Sequence, residues 1–189
     1  MTKKELRKIY KEKRINISPK EKNILDDLLL IQFQKIALPL IRNVFSYIPL
    51  EDRNEPNTDL FVSYLQAMIP SIHITYPATN FETGEMEALL VHDETEYHQH
   101  PKGMIEPKHG EIITPDSVDL VIVPLLAFDT NGYRVGYGKG FYDKYLNRCR
   151  KDILKIGFSY FEPIDIIEDT DSFDVPLTHC ITPKHIYEF

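Results

Sequence analysis

Apolar positions near the start of the chain recur with the period of a helix. Residues 3–15 place Leu6, Ile9 and Tyr10 on one face, which is typical of an amphipathic helix. A second helix is expected to begin at Ser18-Pro19, because serine caps a helix and proline suits its first position. We expect Pro39 to end that helix. The first forty residues therefore predict a helical N-terminal arm.

After this arm the pattern changes to short runs rich in β-branched and aromatic residues. These runs predict strands at residues 43–48, 71–76, 86–92, 119–124, 153–160 and 180–187, with Pro77 ending the second of them. Helices are predicted at residues 58–68 and 140–150, and a polar surface loop at 94–110. DLVIVP, residues 119–124, is continuously apolar, as in a strand buried on both faces of a parallel sheet.

Strands that alternate with helices predict an α/β fold. We expect one domain over residues 1–189, built as a layered, Rossmann-like, mostly parallel sheet flanked by helices and preceded by the helical arm. No apolar run approaches the length of a membrane span, and the basic N-terminus lacks the apolar core of a secretory signal. Cys149 and Cys180 form no CxxC pair. These features predict a cytoplasmic protein with reduced thiols and no membrane partner.

Charge is unevenly distributed along the chain. The net charge is −7, which argues against nucleic-acid binding by bulk electrostatics. Seven of the 22 cations nevertheless fall within the first 14 residues: Lys3, Lys4, Arg7, Lys8, Lys11, Lys13 and Arg14. This local excess indicates either a specific anionic partner for the first helix or a plain solvated helix face, and charge alone leaves both open.

The segment DTNGYRVGYGKGFYDKYL, residues 129–146, follows the buried strand and leads into a predicted helix. Gly136, Gly138 and Gly140 alternate, with Arg134 and Lys139 nearby. Backbone freedom beside cations at a helix N-terminus suits an anion such as phosphate. The segment matches neither GxxxxGK[ST] nor GxGxxG, so no standard phosphate motif is present. The alternative is a plain connection between strand and helix.

Asp143, in the first turn of that helix, has two interpretations. Its carboxylate could complement the helix dipole, or it could hold Mg²⁺ beside a bound phosphate. Phe141, Tyr142 and Tyr145 divide in the same way between core packing and stacking on a flat ligand. A metal site is expected neither from the cysteines nor from the four clustered histidines, because the spacing of those histidines fixes no ligand geometry. The four are His92, His98, His100 and His109.

The segment from 119 to 146 resembles the signature of the 5-formyltetrahydrofolate cyclo-ligases. That signature is a strand ending in Pro, an Ala-Phe-Asp segment, then G-x-R-[LIV]-G-x-G-x-G-[FY]-Y-D and a Leu. The matching positions are Gly132, Arg134, Val135, Gly136, Gly138, Gly140, Phe141, Tyr142, Asp143 and Leu146. The opening KKELRK, EPNT at 55–58 and GMIEP at 103–107 also resemble family elements, so the resemblance spans nearly the whole chain.

The resemblance implies an ATP- and Mg²⁺-dependent ligase. Such an enzyme cyclises 5-formyltetrahydrofolate to 5,10-methenyltetrahydrofolate through phosphorylation of the formyl oxygen, and it releases ADP and phosphate. The implied partner is this small molecule, with or without a polyglutamate tail. Neither nucleic acid nor a membrane is expected as a partner, and we expect the chain to be a monomer.

Site residues follow from the resemblance by motif position. Arg134 and Lys139 would be catalytic, and Asp143 and Asp174 would hold Mg²⁺. The residues expected on ATP are Lys3, Lys4, Glu5, Leu6, Arg7, Arg134, Val135, Gly136, Tyr137, Gly138, Lys139, Gly140, Phe141 and Tyr142. Those expected on the folate are Leu50, Glu55, Tyr137, Gly138, Lys139, Gly140 and Phe141, with Glu55 accepting from the amino-pyrimidine ring.

Two other functions remain as alternatives. A sugar-phosphate isomerase or a CoA-transferase-like enzyme of similar fold would need a catalytic carboxylate but neither ATP nor the basic first helix. A binding module for folate or nucleotide would keep the pocket without the chemistry.

Overall fold

The computed structural model describes residues 1–100 and 103–189. Its helices are α1 (Lys3–Ile15), α2 (Pro19–Phe33), α3 (Thr58–Met68) and α4 (Phe141–Leu146). Short 3₁₀ turns lie at Glu51–Arg53 and Pro115–Ser117. The strands are β1 (Asn43–Phe45), β2 (His73–Asn80), β3 (Glu85–Leu90), β4 (Tyr97–Gln99), β5 (Ile105–Pro107), β6 (Ile112–Ile113), β7 (Leu120–Val123), β8 (Ala127–Phe128), β9 (Arg134–Val135), β10 (Leu154–Phe158), β11 (His179–Ile181) and β12 (Ile186–Glu188).

The N-terminal arm forms for the reasons that the sequence suggests. Thr2 caps α1, and its side chain and that of Glu5 form a reciprocal capping box. The Ser18 side chain accepts from the backbone N–H of Glu21 at 3.3 Å, with Pro19 in the first position of α2. The bounds of α1 match the prediction, whereas α2 ends at Phe33, six residues before Pro39. In residues 1–100 and 103–189 no helix combines the length and apolar character needed to cross a membrane.

Eight strands form one sheet in the order β12-β11-β10-β7-β1-β2-β3-β6. The five central strands, from β11 to β2, are parallel to one another, and the strands at both edges are antiparallel. The predicted α/β fold with a mostly parallel sheet is therefore confirmed. β4 pairs with β5, and β8 pairs with β9, in two small hairpins outside the main sheet.

The sheet is buried on both faces, as the continuous apolar run in β7 predicts. Leu120 and Ile122 belong to the core shared with α2 and α3. Val121 and Val123 alternate with them and belong to the core that includes α4. A third cluster packs Leu6 and other residues of α1 against the β8–β9 hairpin. This third contact fixes the basic helix next to the glycine-rich segment.

The predicted strand boundaries were wrong in several places. β2 does not end at Pro77 but continues to Asn80, with Pro77 opposite Ala88 of β3. A proline fits there because the β1 pairing stops at Thr75, so this part of β2 is bonded on one side only. The predicted strand at 180–187 is two strands, β11 and β12, joined by a turn in which the Thr182 side chain accepts from the N–H of His185 at 3.0 Å.

Two further segments also differ from the prediction. α4 ends at Leu146 rather than near residue 150. The predicted surface loop at 94–110 contains the β4–β5 hairpin, and residues 101 and 102 of that loop lie outside the described residues.

Candidate active site

A cavity of about 770 Å³ opens beyond the carboxyl ends of the central strands. Tyr47 follows β1, Pro124 follows β7, and both line it. β2 lies on one side of β1, whereas β7 and β10 lie on the other, so the strand order reverses direction here. Ligands of open α/β sheets bind at this kind of topological switch point. The volume lies within the range of about 300–1,000 Å³ typical of small-molecule sites.

The turn before the glycine-rich segment is fixed by one buried carboxylate. Asp129 Oδ1 accepts the backbone N–H groups of Asn131 and Tyr133, each at 3.0 Å. Its Oδ2 accepts the N–H of Ile167 at 3.0 Å. Asp129 is fully buried, so these charge-assisted bonds hold the β8–β9 hairpin in one conformation. Arg134, in β9, is thereby placed at the cavity wall.

The glycines bring the loop backbone close to α1. Arg7 Nε donates to the carbonyl of Gly136 at 2.9 Å. Gly138 has φ of +85°, and a Cβ there would lie 3.2 Å from the Arg7 guanidinium. Gly140 has φ of +72° and forms the start of α4. Positive φ and close approach both favour glycine. Of the three alternating glycines, Gly138 and Gly140 are therefore explained by backbone conformation.

Arg134 joins the start of α4 to the C-terminal segment. Its two terminal nitrogens donate to Asp143 Oδ1, at 2.9 Å, and to the carbonyl of Val175. The N–H of Val175 donates to the same Asp143 oxygen at 3.1 Å. Burial lowers the pKa of the Arg134 guanidinium from its ordinary value, and the Asp143 carboxylate opposes that shift. Asp143 is thus bonded to a neighbouring cation rather than to the N–H groups of its own helix.

The second predicted metal ligand lies at the same corner. Asp174 Oδ2 accepts from Lys3 Nζ and from the N–H of Asp171, at 2.7 Å in the latter case. Lys3 and Asp174 are both largely buried, with 14% and 18% of their side chains exposed. The structure therefore brings the N-terminus of α1, the start of α4 and the C-terminal segment together. Each acid has one oxygen, Asp143 Oδ2 and Asp174 Oδ1, that accepts no hydrogen bond from any described residue.

A buried hydrogen-bond network occupies the other end of the cavity. The Tyr137 hydroxyl donates to Glu55 Oε1 and accepts from a terminal nitrogen of Arg14. Glu55 Oε2 accepts the N–H of Leu50 at 2.8 Å. Burial, and next the Glu55 carboxylate, raises the pKa of the Tyr137 hydroxyl, so this tyrosine stays protonated as a donor.

Arg14 is a site residue that the sequence reasoning missed. Its side chain is 4% exposed, as is that of Glu55, and the two charged groups approach to 3.8 Å. Arg14 also donates to the backbone carbonyls of Arg53, at 2.8 Å, and Leu125, at 3.1 Å. Arg14 lies at helical spacing from Arg7 and Lys11 on α1, and all three side chains line the cavity. That spacing was the available signal, but it does not distinguish a buried cation from a solvated one.

Most of the predicted site residues line this cavity. Those that do are Lys3, Arg7, Leu50, Glu55, Arg134, Gly136, Tyr137, Gly138, Lys139, Gly140, Phe141, Tyr142, Asp143 and Asp174. Lys139 is exposed, and no described residue forms a hydrogen bond or ion pair with it.

Four predicted ATP residues are placed differently by the structure. Lys4 and Glu5 are exposed, and Glu5 belongs to the capping box of α1. Leu6 and Val135 are fully buried in the cluster between α1 and the β8–β9 hairpin. None of these four side chains lines the cavity. Other residues of α1 and β9, such as Arg7 and Arg134, line it instead. Glu5 thus caps its helix, and Leu6 and Val135 pack in the core.

The three ring positions divide between core and cavity. Tyr145 is 1% exposed and packs on Phe45 with ring centroids 4.6 Å apart. Phe141 and Tyr142 both line the cavity, and Phe141 meets Phe81 edge to face at 5.1 Å. The core interpretation therefore applies to Tyr145, whereas the other two are available to a ligand.

No three His, Cys, Asp or Glu side chains of residues 1–100 and 103–189 gather into a group that could hold a metal ion. Cys149 and Cys180 are both free thiols. Sequence reasoning assigned no role to several further residues of the cavity wall, although the GMIEP segment was recognised. They are Lys11, Tyr47, Arg53, Thr79, Phe81, Met86, Met104 and Glu106.

Comparison with known families identifies a match over nearly the whole chain. The model of the 5-formyltetrahydrofolate cyclo-ligase family matches residues 1–183. A 5-formyltetrahydrofolate cyclo-ligase of Mycoplasma pneumoniae is 31% identical over 182 residues, which cover 94% of this chain and 96% of that protein. The protein of the same name from Mycoplasma genitalium is 31% identical over 180 residues, covering 93% and 95%.

Solved structures agree with this match. The solution structure of a 5,10-methenyltetrahydrofolate synthetase from Aquifex aeolicus superimposes with a TM-score of 0.80 at 32% identity, covering 100% of this chain and 93% of that one. A 5,10-methenyltetrahydrofolate synthetase from Mycoplasma pneumoniae gives a TM-score of 0.75 at 28% identity, covering 97% and 99%.

Proposed function

Because this chain belongs to the 5-formyltetrahydrofolate cyclo-ligase family, we propose that it converts 5-formyltetrahydrofolate and ATP into 5,10-methenyltetrahydrofolate, ADP and phosphate with Mg²⁺. The observation that supports this most directly is the composition of the cavity at the carboxyl ends of the central strands. Cations and a glycine-rich loop line one end, and buried polar groups with aromatic rings line the other. Such a cavity suits two dissimilar substrates that must meet.

The chemistry explains why two ends are needed. The formyl oxygen is a poor leaving group until it carries phosphate. In the proposed reaction it attacks the γ-phosphorus of ATP and ADP leaves. The second folate nitrogen then attacks the formyl carbon, loses its proton, and phosphate departs as the ring closes. Most of the catalytic work is therefore alignment of the two substrates and neutralisation of the transferring phosphoryl group.

At the first end, three side chains and a backbone segment would hold the triphosphate. Lys3 and Arg7 reach it from α1, and Lys139 reaches it from the exposed loop. Gly138 and Gly140 let the loop backbone approach phosphate oxygens closely. Arg134 would act mainly by fixing Asp143 and the segment at Val175, since its described hydrogen bonds go to those two groups.

The carboxylates at this end fit Mg²⁺ shared with phosphate. Asp143 Oδ2 and Asp174 Oδ1 lie at one corner of the cavity without a described hydrogen-bond donor. Two carboxylates do not fill the coordination shell of Mg²⁺. This agrees with the preference of Mg²⁺ for one or two carboxylates together with substrate phosphates. When bound, the ion would neutralise charge on the transferring phosphoryl group.

At the second end, Glu55 and Leu50 would face the folate ring. The N–H of Leu50 and the hydroxyl of Tyr137 orient the Glu55 carboxylate, and the Arg14 guanidinium lies 3.8 Å from it. A carboxylate fixed in this way accepts hydrogen bonds from the donors of an amino-pyrimidine ring.

A direct assay tests the proposal. The purified protein is mixed with 5-formyltetrahydrofolate, ATP and Mg²⁺, and the near-ultraviolet absorbance of the methenyl product is followed. We expect absorbance that requires both ATP and Mg²⁺. Folate binding without any product would instead identify a non-catalytic binding module and refute the enzymatic proposal.

A further inference from the structure

Glu106 is a buried carboxylate that the residue assignments so far do not use. It lies in β5, is 2% exposed and lines the cavity. Oε2 accepts the backbone N–H of Thr79 at 3.0 Å. Oε1 is buried and accepts no hydrogen bond from any described residue. A carboxylate oxygen withdrawn from water without a donor is costly, so such a group calls for a partner beyond the described residues.

The surroundings of Glu106 show what kind of partner fits. The cavity lining also includes the apolar side chains of Met86, Met104 and Phe81. Unbranched thioether side chains change rotamer readily, which allows a ring to enter beside the carboxylate. In addition, no lysine, arginine or histidine of the described residues pairs with Glu106. A flat heterocycle with N–H donors at its edge matches this combination.

Glu55 and Glu106 approach the same space from different elements. Glu55 follows the 3₁₀ turn at Glu51–Arg53, whereas Glu106 lies in β5. Both acids line the cavity. The two acids differ in their bonding, since both oxygens of Glu55 already accept from the protein whereas one oxygen of Glu106 does not.

We propose that Glu106 Oε1 accepts a hydrogen bond from an N–H group of the pteridine ring of the bound folate, and so acts as a second folate-binding carboxylate opposite Glu55. The inference rests on the proposed function, because it takes the reduced folate as the occupant of the cavity. Glu106 contacts the substrate in this arrangement and sets the position of its ring. The bond to Thr79 holds the carboxylate in place from the side of β2.

The test measures binding of each substrate separately by calorimetry. The variants are Glu106→Gln and, as a matched control, Glu111→Gln, which changes an exposed carboxylate outside the cavity. Losing the charged acceptor should weaken binding of 5-formyltetrahydrofolate at least tenfold in Glu106→Gln. Binding of a non-hydrolysable Mg·ATP analogue should stay within twofold, as should both ligands in the control. A purely structural role would instead weaken both ligands together and lower the melting temperature.

Two outcomes overturn the inference. One is an unchanged dissociation constant for 5-formyltetrahydrofolate in a Glu106→Gln protein that melts like the wild type. The other is an equal loss for folate and nucleotide. If Glu106→Gln does not fold, Glu106→Asp decides the question, because it keeps the charge but withdraws it by one methylene; unchanged folate binding there also refutes the inference. Failure of the proposed function would appear separately, as a wild-type protein that makes no methenyl product.

Discussion

The two ends of the cavity hold charge in different ways. At the glycine-loop end, Lys139 is exposed, and Lys3 and Arg134 are paired with acids at the edge of the cavity. At the Glu55 end, the ionic groups are buried within a continuous hydrogen-bond network of Arg14, Tyr137 and Glu55. Surface charges are screened and contribute little to folding, whereas buried ones are costly to leave unpaired. The first end therefore keeps one exposed cation for attraction of an anion beside its paired cations, whereas the second end serves fixed geometry.

This difference predicts that loss of an exposed cation at the glycine-loop end affects nucleotide use, whereas loss of a buried cation at the Glu55 end affects stability. The glycine-loop end should tolerate loss of an exposed cation without unfolding. The Glu55 end should not tolerate loss of a buried one, because the partner group would remain buried without compensation.

Removal of Arg14 should have the largest effect. Arg14→Ala leaves Glu55 without its nearest described cation and frees two backbone carbonyls, of Arg53 and Leu125. We expect a loss of about 3–5 kcal/mol in the free energy of unfolding, measured by urea denaturation. Lys8→Ala, an exposed change in the same helix, should stay within about 0.5 kcal/mol. Equal stability of the two variants would show that the Arg14 network contributes nothing.

Arg134→Ala should have the second largest effect on stability, because Asp143, one of the two groups that Arg134 bonds to, is partly exposed. It breaks the bonds to Asp143, 26% exposed, and to the carbonyl of Val175. We expect a loss of about 2–3 kcal/mol, below the figure for a fully buried pair. Turnover should fall, and the KM for ATP should rise more than that for folate.

Lys108→Ala provides the contrast, since it breaks an exposed ion pair with Glu96 and should cost no more than about 1 kcal/mol. An Arg134→Ala protein with unchanged turnover and unchanged KM for ATP would remove Arg134 from the nucleotide site.

The glycine loop should show a smaller effect that depends on position. Gly138→Ala places a Cβ at a positive φ and against the Arg7 guanidinium, which should cost about 1–2 kcal/mol. Gly136→Ala, where the Cβ meets nothing within 4 Å and φ lies outside the left-handed range, should change stability by less than about 1 kcal/mol. Thermal melting of both variants measures the difference. A reversed order would contradict the role assigned to the Gly138 backbone.

The sequence predicted the elements whose causes are local. α1 has the predicted bounds because its apolar face lies within the helix and its N-cap, Thr2, directly precedes it. The turn between β11 and β12 was missed because it depends on side-chain bonds of Thr182, although Pro183 and Lys184 were a local signal for it. For the site, the motif indicated the cavity-lining residues of the glycine-rich segment and the start of α4, because one continuous stretch of chain carries them together.

What could not be predicted depends on contacts between distant parts of the chain. Lys3 meets Asp174 across 171 positions, and Arg14 becomes buried only when residues near 55, 125 and 137 surround it. Helical spacing gives the direction of a side chain but not the element that covers it. Leu6 was assigned to ATP by its motif position in the resemblance, and its side chain packs in the cluster between α1 and the β8–β9 hairpin.

Separate measurements of folate binding and nucleotide binding in two variants test most directly whether the cavity has two distinct ends. Glu55→Gln and Lys139→Ala are each titrated with 5-formyltetrahydrofolate and with a non-hydrolysable Mg·ATP analogue by calorimetry. We predict that Glu55→Gln weakens folate binding about tenfold or more and leaves nucleotide binding within twofold, because it removes a charged acceptor at the folate end. Lys139→Ala should show the reverse. Equal losses for both ligands in both variants would contradict a cavity with two separate ends.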